Sequence, residues 1–99
     1  MNIQKMMKDL QRMQSKLQEN VEALEVEGSA GGGAVTTRMN GKKQLLSLKL
    51  SPEALTPDDR ELLEDLVVAA VNDAGRKVDE EVARMTQGLA GGLGIPGLG

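Results

Sequence analysis

The chain has 99 residues, a net charge of −3, no cysteine, no histidine and no Phe, Tyr or Trp. These absences exclude disulfides and thiol chemistry, most zinc and transition-metal sites, and the Ser-His-Asp and Cys-His nucleophile systems. Without aromatic rings the chain also lacks the stacking platforms on which RNA and single-stranded DNA are usually read.

A chain of this length makes one domain, and alone it buries only about 60–65% of its unfolded surface. Help from a second chain is therefore expected. Cysteine-free composition places the protein by default in the cytoplasm. Residues 1–20 interleave four basic residues with apolar ones and hold no A-x-A-like cleavage site, so they do not read as a signal peptide. The longest apolar run, Leu66 to Val71, is far too short to span a bilayer.

The first predicted element is a long helix. Ile3, Met6, Leu10, Met13, Leu17, Asn20 and Leu24 follow 3-4 heptad spacing, widened by Met7 and Val21. About 22 helical residues reach roughly 33 Å. Asn20 either fixes the register of the seam or, with a slight rotation that turns Val21 inward, sits in water; the second reading is preferred. The seam methionines read as adaptable core. Lys5, Lys8, Arg12 and Lys16 also step by three or four and form a positive ridge beside the seam.

A first strand is expected from Glu25 to Ser29. Gly31, Gly32 and Gly33 invite a phosphate-loop reading, but no G-x-G-x-x-G order is met and a strand follows, so a turn or bulge needing positive φ is the plainer reading. Gly41-Lys42-Lys43 lacks the upstream glycine and the Ser/Thr of a Walker motif. Val35 to Met39 and Gln44 to Leu50 flank Asn40-Gly41, a strong hairpin signal. A two-residue turn pairs Met39 with Lys42, Thr37 with Gln44 and Val35 with Leu46. Val35, Thr37, Met39, Leu46, Leu48 and Leu50 then share one face, opposite Arg38, Lys43, Ser47 and Lys49 with Ala34, Thr36 and Leu45. A four-residue turn keeps the same sides.

Ser51-Pro52-Glu53-Ala54-Leu55 reads as a capped helical turn. A second long helix follows, with Thr56 as cap, Pro57 at its first position and Asp58 and Asp59 at its positive end. Leu62, Leu63, Leu66, Val67, Ala70, Val71, Ala74, Val78 and Val82 give it a wide apolar stripe, and its end is expected near Met85 or Gln87. Gly75 marks either a close helix crossing or a local weakness. The division is thus residues 1–87 as one folded unit and 88–99 as a flexible glycine-rich tail.

Charge is segregated along the chain. Residues 1–16 and 38–49 are basic, and residues 19–27 and 53–65 are acidic. Such blocks create local fields that the net charge hides, although they also describe ordinary solvated faces. One sheet with one or two covering helices leaves an edge strand open and gives the heptad helix too little partner surface. A twofold dimer that joins sheets, packs helices, or does both cures the two defects.

AGGGAV at 30–35, the Asn40-Gly41 hairpin, LSLKLSPEAL at 46–55, LEDLVVAAVNDA at 63–74 followed by Arg76-Lys77, and the GLGIPGLG ending resemble the YbaB/EbfC family of bacterial nucleoid-associated proteins. Ser51 and Gly75 are small departures from that family's pattern. The resemblance implies an α+β fold: an α-β-β-β-α protomer, with a three-stranded antiparallel sheet and two long helices, in a tweezer-like homodimer. It also implies double-stranded DNA binding, nucleoid organisation and a role in gene expression. No catalytic residue carries over.

The expected DNA contacts are Lys5, Lys8, Arg12 and Lys16, helped by Arg76, Lys77 and Arg84, with Arg38, Lys42 and Lys43 as a second patch. Contact is expected mainly with phosphates. No cofactor, metal, membrane or small-molecule substrate is expected. The rival reading is a protein-interaction module that grips a partner with its arm helices and apolar tail. An enzyme is disfavoured, because the carboxylates fall on solvent-facing helix positions.

Overall fold

The computed structural model describes residues 2–92. Helix α1 (Ile3–Ala23) leads into strands β1 (Glu25–Ala30), β2 (Val35–Asn40) and β3 (Leu45–Leu50). Two 3-10 turns, Pro52–Ala54 and Pro57–Asp59, then open the helix α2 (Arg60–Gly92). The sheet is antiparallel in the order β1-β2-β3. This is the α-β-β-β-α order that the sequence predicts.

Helix α1 is capped by Asn2, whose side-chain oxygen accepts from the backbone N–H of Gln4 at 3.1 Å and of Lys5 at 3.3 Å. Its seam divides in two. Met13, Leu17 and Val21, followed by Leu24, are half-buried, whereas Ile3, Met6, Met7 and Leu10 are exposed. Val21 turns inward and Asn20 sits in solvent, the preferred of the two seam readings.

The hairpin register differs from the two-residue turn. Val35 pairs with Leu50, Thr37 with Leu48, Arg38 with Ser47 and Met39 with Leu45, with an irregularity at Arg38/Met39. The cause is local chemistry. The Asn40 side-chain oxygen accepts from the N–H of both Lys42 and Gln44, each at 3.0 Å, and the Asn40 N–H donates to the Gln44 carbonyl at 3.1 Å. Residues 41–44 thus form a longer loop, in which Lys43 takes the left-handed conformation at φ 63°. Parity keeps Val35, Thr37, Leu48 and Leu50 on one face.

Helix α2 crosses that face over β1 and β2 and scarcely touches β3. Its line Ala70, Ala74, Val78 is buried against Val35, Thr37 and Met39. The tightest approach is at Gly28, where an added Cβ would lie 2.5 Å from the Ala70 carbonyl oxygen and 2.6 Å from the Ala74 nitrogen. Only glycine lets β1 come this close. Beside it the Thr37 hydroxyl donates to the Ala70 carbonyl at 3.0 Å, closing a buried polar contact. The sequence offered Gly75 as a possible close crossing. A Cβ there would meet only Lys43 Cε at 3.6 Å, an ordinary contact, so the crossing is at Gly28 instead.

The start of α2 also differs in detail. The Thr56 hydroxyl pairs with the Asp59 carboxylate at 2.8 Å rather than accepting from the backbone. At its far end α2 runs to Gly92, past the expected Met85 or Gln87. The first five residues of the expected tail are therefore helical, and residues 93–99 lie outside the described residues.

Among the described residues the buried apolar side chains are few: Val35, Met39, Ala70, Ala74 and Val78. The chain measures 69 × 24 × 15 Å with a radius of gyration of 19.1 Å, against about 13 Å for a compact domain of this length. The inner face of β3 is largely bare: Leu48 is 37% exposed, and Leu45, expected on the other face, takes the place opposite Met39 and is 46% exposed.

Candidate functional site

The fold places the ten expected contact residues in two settings. Lys5, Lys8, Arg12 and Lys16 lie along the exposed outer side of α1, spread over about 16 Å. At about 100° per residue Lys5, Lys8 and Arg12 lie roughly 150° round from the apolar seam, whereas Lys16 stays at the seam's edge. None of the four has a carboxylate within 4.0 Å among the described residues. Asn2 fixes the beginning of the ridge, and the packing of Val21 and Leu24 on the hairpin fixes its direction.

The other six cations are all paired. Arg38 lies 3.6 Å from Glu25, Lys42 3.7 Å from Glu22 and Lys43 3.1 Å from Asp79. Arg76 and Lys77 converge on Asp73, each at 3.3 Å, and Lys77 also donates to the Glu27 carbonyl at 2.9 Å. Arg84 pairs with Glu81 one turn earlier. The structure therefore does not join Arg38, Lys42 and Lys43 into an uncompensated second patch, because each sits against its own anion. It also directs Arg76 and Lys77 towards holding β1 to α2.

Asp73 is the hub of that attachment. The Ser29 backbone N–H donates to it at 3.0 Å, and Lys77 and Arg76 flank it. The Ser29 bond first, then the two cations, hold its carboxyl below the usual carboxylate range. Around it, β1 is tied to α2 by one backbone donor, one carboxylate and one lysine.

Lys49 is a cation missing from the expected set. It lies on the outer face of the sheet opposite Thr36 and has no carboxylate within 4.0 Å among the described residues. Its signal was the acid-free block 38–49, of which it is the last basic residue.

The glycine triplet is a turn. Gly31, Gly32 and Gly33 all have positive φ, and the Ala34 N–H closes back on the Gly31 carbonyl at 3.3 Å. Between this turn and the start of α2 lies an open cleft of about 510 Å³, whose lining includes Leu62, Leu63, Leu66, Glu53 and Asp59. Two carboxylates and no cation make it unsuited to a phosphate group. Among the described residues no cluster of three or more acidic residues could hold a metal ion, and no helix is long and apolar enough to cross a membrane.

Residues 1–93 match the YbaB/EbfC DNA-binding family. A nucleoid-associated protein of Clostridium novyi is 46% identical over 99% of this chain and 89% of its own length. One of Afipia carboxidovorans is 50% identical over 95% of this chain and 92% of its own. Among solved structures, an uncharacterized protein from Helicobacter pylori superposes with a TM-score of 0.71 at 24% identity, covering 91% of this chain and 98% of that one. That last likeness speaks for the fold alone.

Proposed function

The chain belongs to the YbaB/EbfC DNA-binding family, and from that premise we propose that it binds double-stranded DNA as a homodimer, in the nucleoid of the cytoplasm. Lys5, Lys8, Arg12 and Lys16 of each α1 neutralise phosphates, and binding contributes to nucleoid organisation and gene expression. The observation that carries this reading is the contrast in pairing. Among the described residues the four ridge cations have no carboxylate within 4.0 Å, while each of the other six expected contacts has one.

The dimer is supported by what the single chain leaves open. The leucines on the inner face of β3 lie on an edge strand that α2 scarcely touches, and the described residues bury few apolar side chains. A second copy laid over that face covers the leucines and brings two ridges into one particle. Phosphate neutralisation reads the backbone and the shape of the duplex rather than its bases.

The test is a gel-shift titration on unrelated duplexes at two salt concentrations, with Lys5, Lys8, Arg12 and Lys16 changed to Glu. With four cations on each of two arms, the logarithm of affinity falls against the logarithm of salt with a slope of up to about −7, and the variant loses binding. Unchanged shifts in the variant remove the α1 ridge from the interface.

A further inference from the structure

Among the described residues nothing covers the apolar end of α1, and the phosphate contacts do not use it. Ile3 is 71% exposed, Met6 49% and Leu10 44%, and these residues continue at heptad spacing into Met13 and Leu17. A seam of this kind in water is an interaction surface. The residues that flank it indicate its occupant. On one side stand Met7 and Gln14, which carry no charge. On the other, Asp9 and Lys16 stand one heptad apart, with opposite signs.

When two such helices run antiparallel, each flank meets its own copy. Asp9 then faces the other chain's Lys16, and Lys16 the other chain's Asp9. A parallel pair sets Asp9 against uncharged Gln14 and gains no ion pair. The seam is thus complementary to itself in one orientation.

Resting on the dimeric DNA-binding reading above, we propose that this seam is a second twofold interface, through which α1 of one dimer pairs antiparallel with α1 of another. A chain with two different twofold contacts, one at the sheet and one at the arm, joins dimers into tetramers and longer rows. Lys5, Lys8 and Arg12 remain on the far side of the paired helices, so the joined arms still face phosphates and can hold two duplexes together.

The experiment measures the native mass of the full chain over a concentration series without DNA, for the wild type and for Leu10→Glu, Leu48→Glu, Asp9→Lys, Lys16→Asp and the double exchange Asp9→Lys/Lys16→Asp. The wild type is expected to pass from two chains to four and beyond. Leu10→Glu stops at two chains, its further association weakened about a hundredfold or more, since the seam loses a leucine from each partner. Leu48→Glu, which breaks the sheet contact, still forms a two-chain species through the seam. Each single charge change weakens tetramer formation about tenfold, and the double exchange restores it, which a merely structural defect would not do.

A wild type that stays at two chains while Leu48→Glu gives single chains overturns the second interface and leaves the dimer standing. If Leu10→Glu gives single chains and Leu48→Glu does not, the seam is the dimer contact itself and the proposal fails. A wild type that is a single chain throughout removes the dimer reading and the inference together. Because the chain has no cysteine, Leu10→Cys with Ile95→Cys adds a direct check. A disulfide within one chain, in place of one between chains, assigns the seam to the chain's own carboxy-terminal residues and overturns the proposal.

Discussion

The outer side of α1 and the junction of α2 with β1 carry similar numbers of basic residues and use them in opposite ways. At the junction, Arg76 and Lys77 share Asp73, and nearby Lys43 holds Asp79. On α1, Lys5, Lys8, Arg12 and Lys16 have no such partner among the described residues. A cation beside a carboxylate offers little net field to a distant polyanion, whereas a row of uncompensated cations offers nearly all of its own. The difference separates residues that hold the protomer together from residues available to an outside ligand, within a protein whose overall charge is negative.

The sharpest way to break that comparison is to neutralise each group in turn. Changing Lys5, Lys8, Arg12 and Lys16 to Gln lowers duplex affinity about a thousandfold in a low-salt gel shift and flattens the salt dependence. Removing whole pairs, with Arg38, Lys42 and Lys43 changed to Gln together with their partners Glu25 and Glu22 to Gln and Asp79 to Asn, moves affinity by no more than about threefold, because each pair contributes no net charge. Equal losses in the two sets would abolish the distinction.

Next in size is the junction itself. Gly28→Ala drives a Cβ into the α2 backbone and lowers stability by about 3 kcal/mol, seen as a fall in the urea midpoint. Gly75→Ala acts in the other direction. Its site has room and lies within a helix, so stability rises by about 1 kcal/mol. The smallest effect is that of Asp73. Its folded pKa lies below its unfolded value of about 3.9, so its contribution is complete above that value and is lost as pH falls through the folded one. The stability difference between wild type and Asp73→Asn is therefore full near neutrality, shrinks on acidification and closes at strongly acid pH, as thermal unfolding at stepped pH will show.

Periodicity made both helices and the three strands legible, together with the faces of the hairpin. Its register was not legible, because Asn40-Gly41 signals a two-residue turn while the Asn40 side chain captures two further N–H groups and lengthens the loop. Parity held from Val35 to Arg38, so Val35, Thr37, Leu48 and Leu50 share the expected inner face, but the irregularity at Arg38/Met39 sets Leu45 rather than Leu46 opposite Met39. Gly28 carried no usable signal, since a glycine in a strand does not say which backbone comes near it. At the candidate site, the pairs of Arg76 and Lys77 with Asp73 and of Arg84 with Glu81 could be read from helical spacing. Those of Lys42 with Glu22 and Lys43 with Asp79 arise only when distant segments meet. The sequence therefore showed where the positive charge lies but not which part of it is cancelled.

Only Leu24 separates α1 from β1, and its carbonyl accepts from the Gly41 N–H at 3.1 Å. A Cβ on Gly41 would fall within 3 Å of the Val21 carbonyl, so the hairpin tip is wedged under the root of the arm. The arm thus has no swivel. A load applied at its tip passes as torque into β1 and the sheet instead of being absorbed by a loose joint. In the duplex-binding dimer proposed above, two such levers would present a fixed spacing and angle to the DNA.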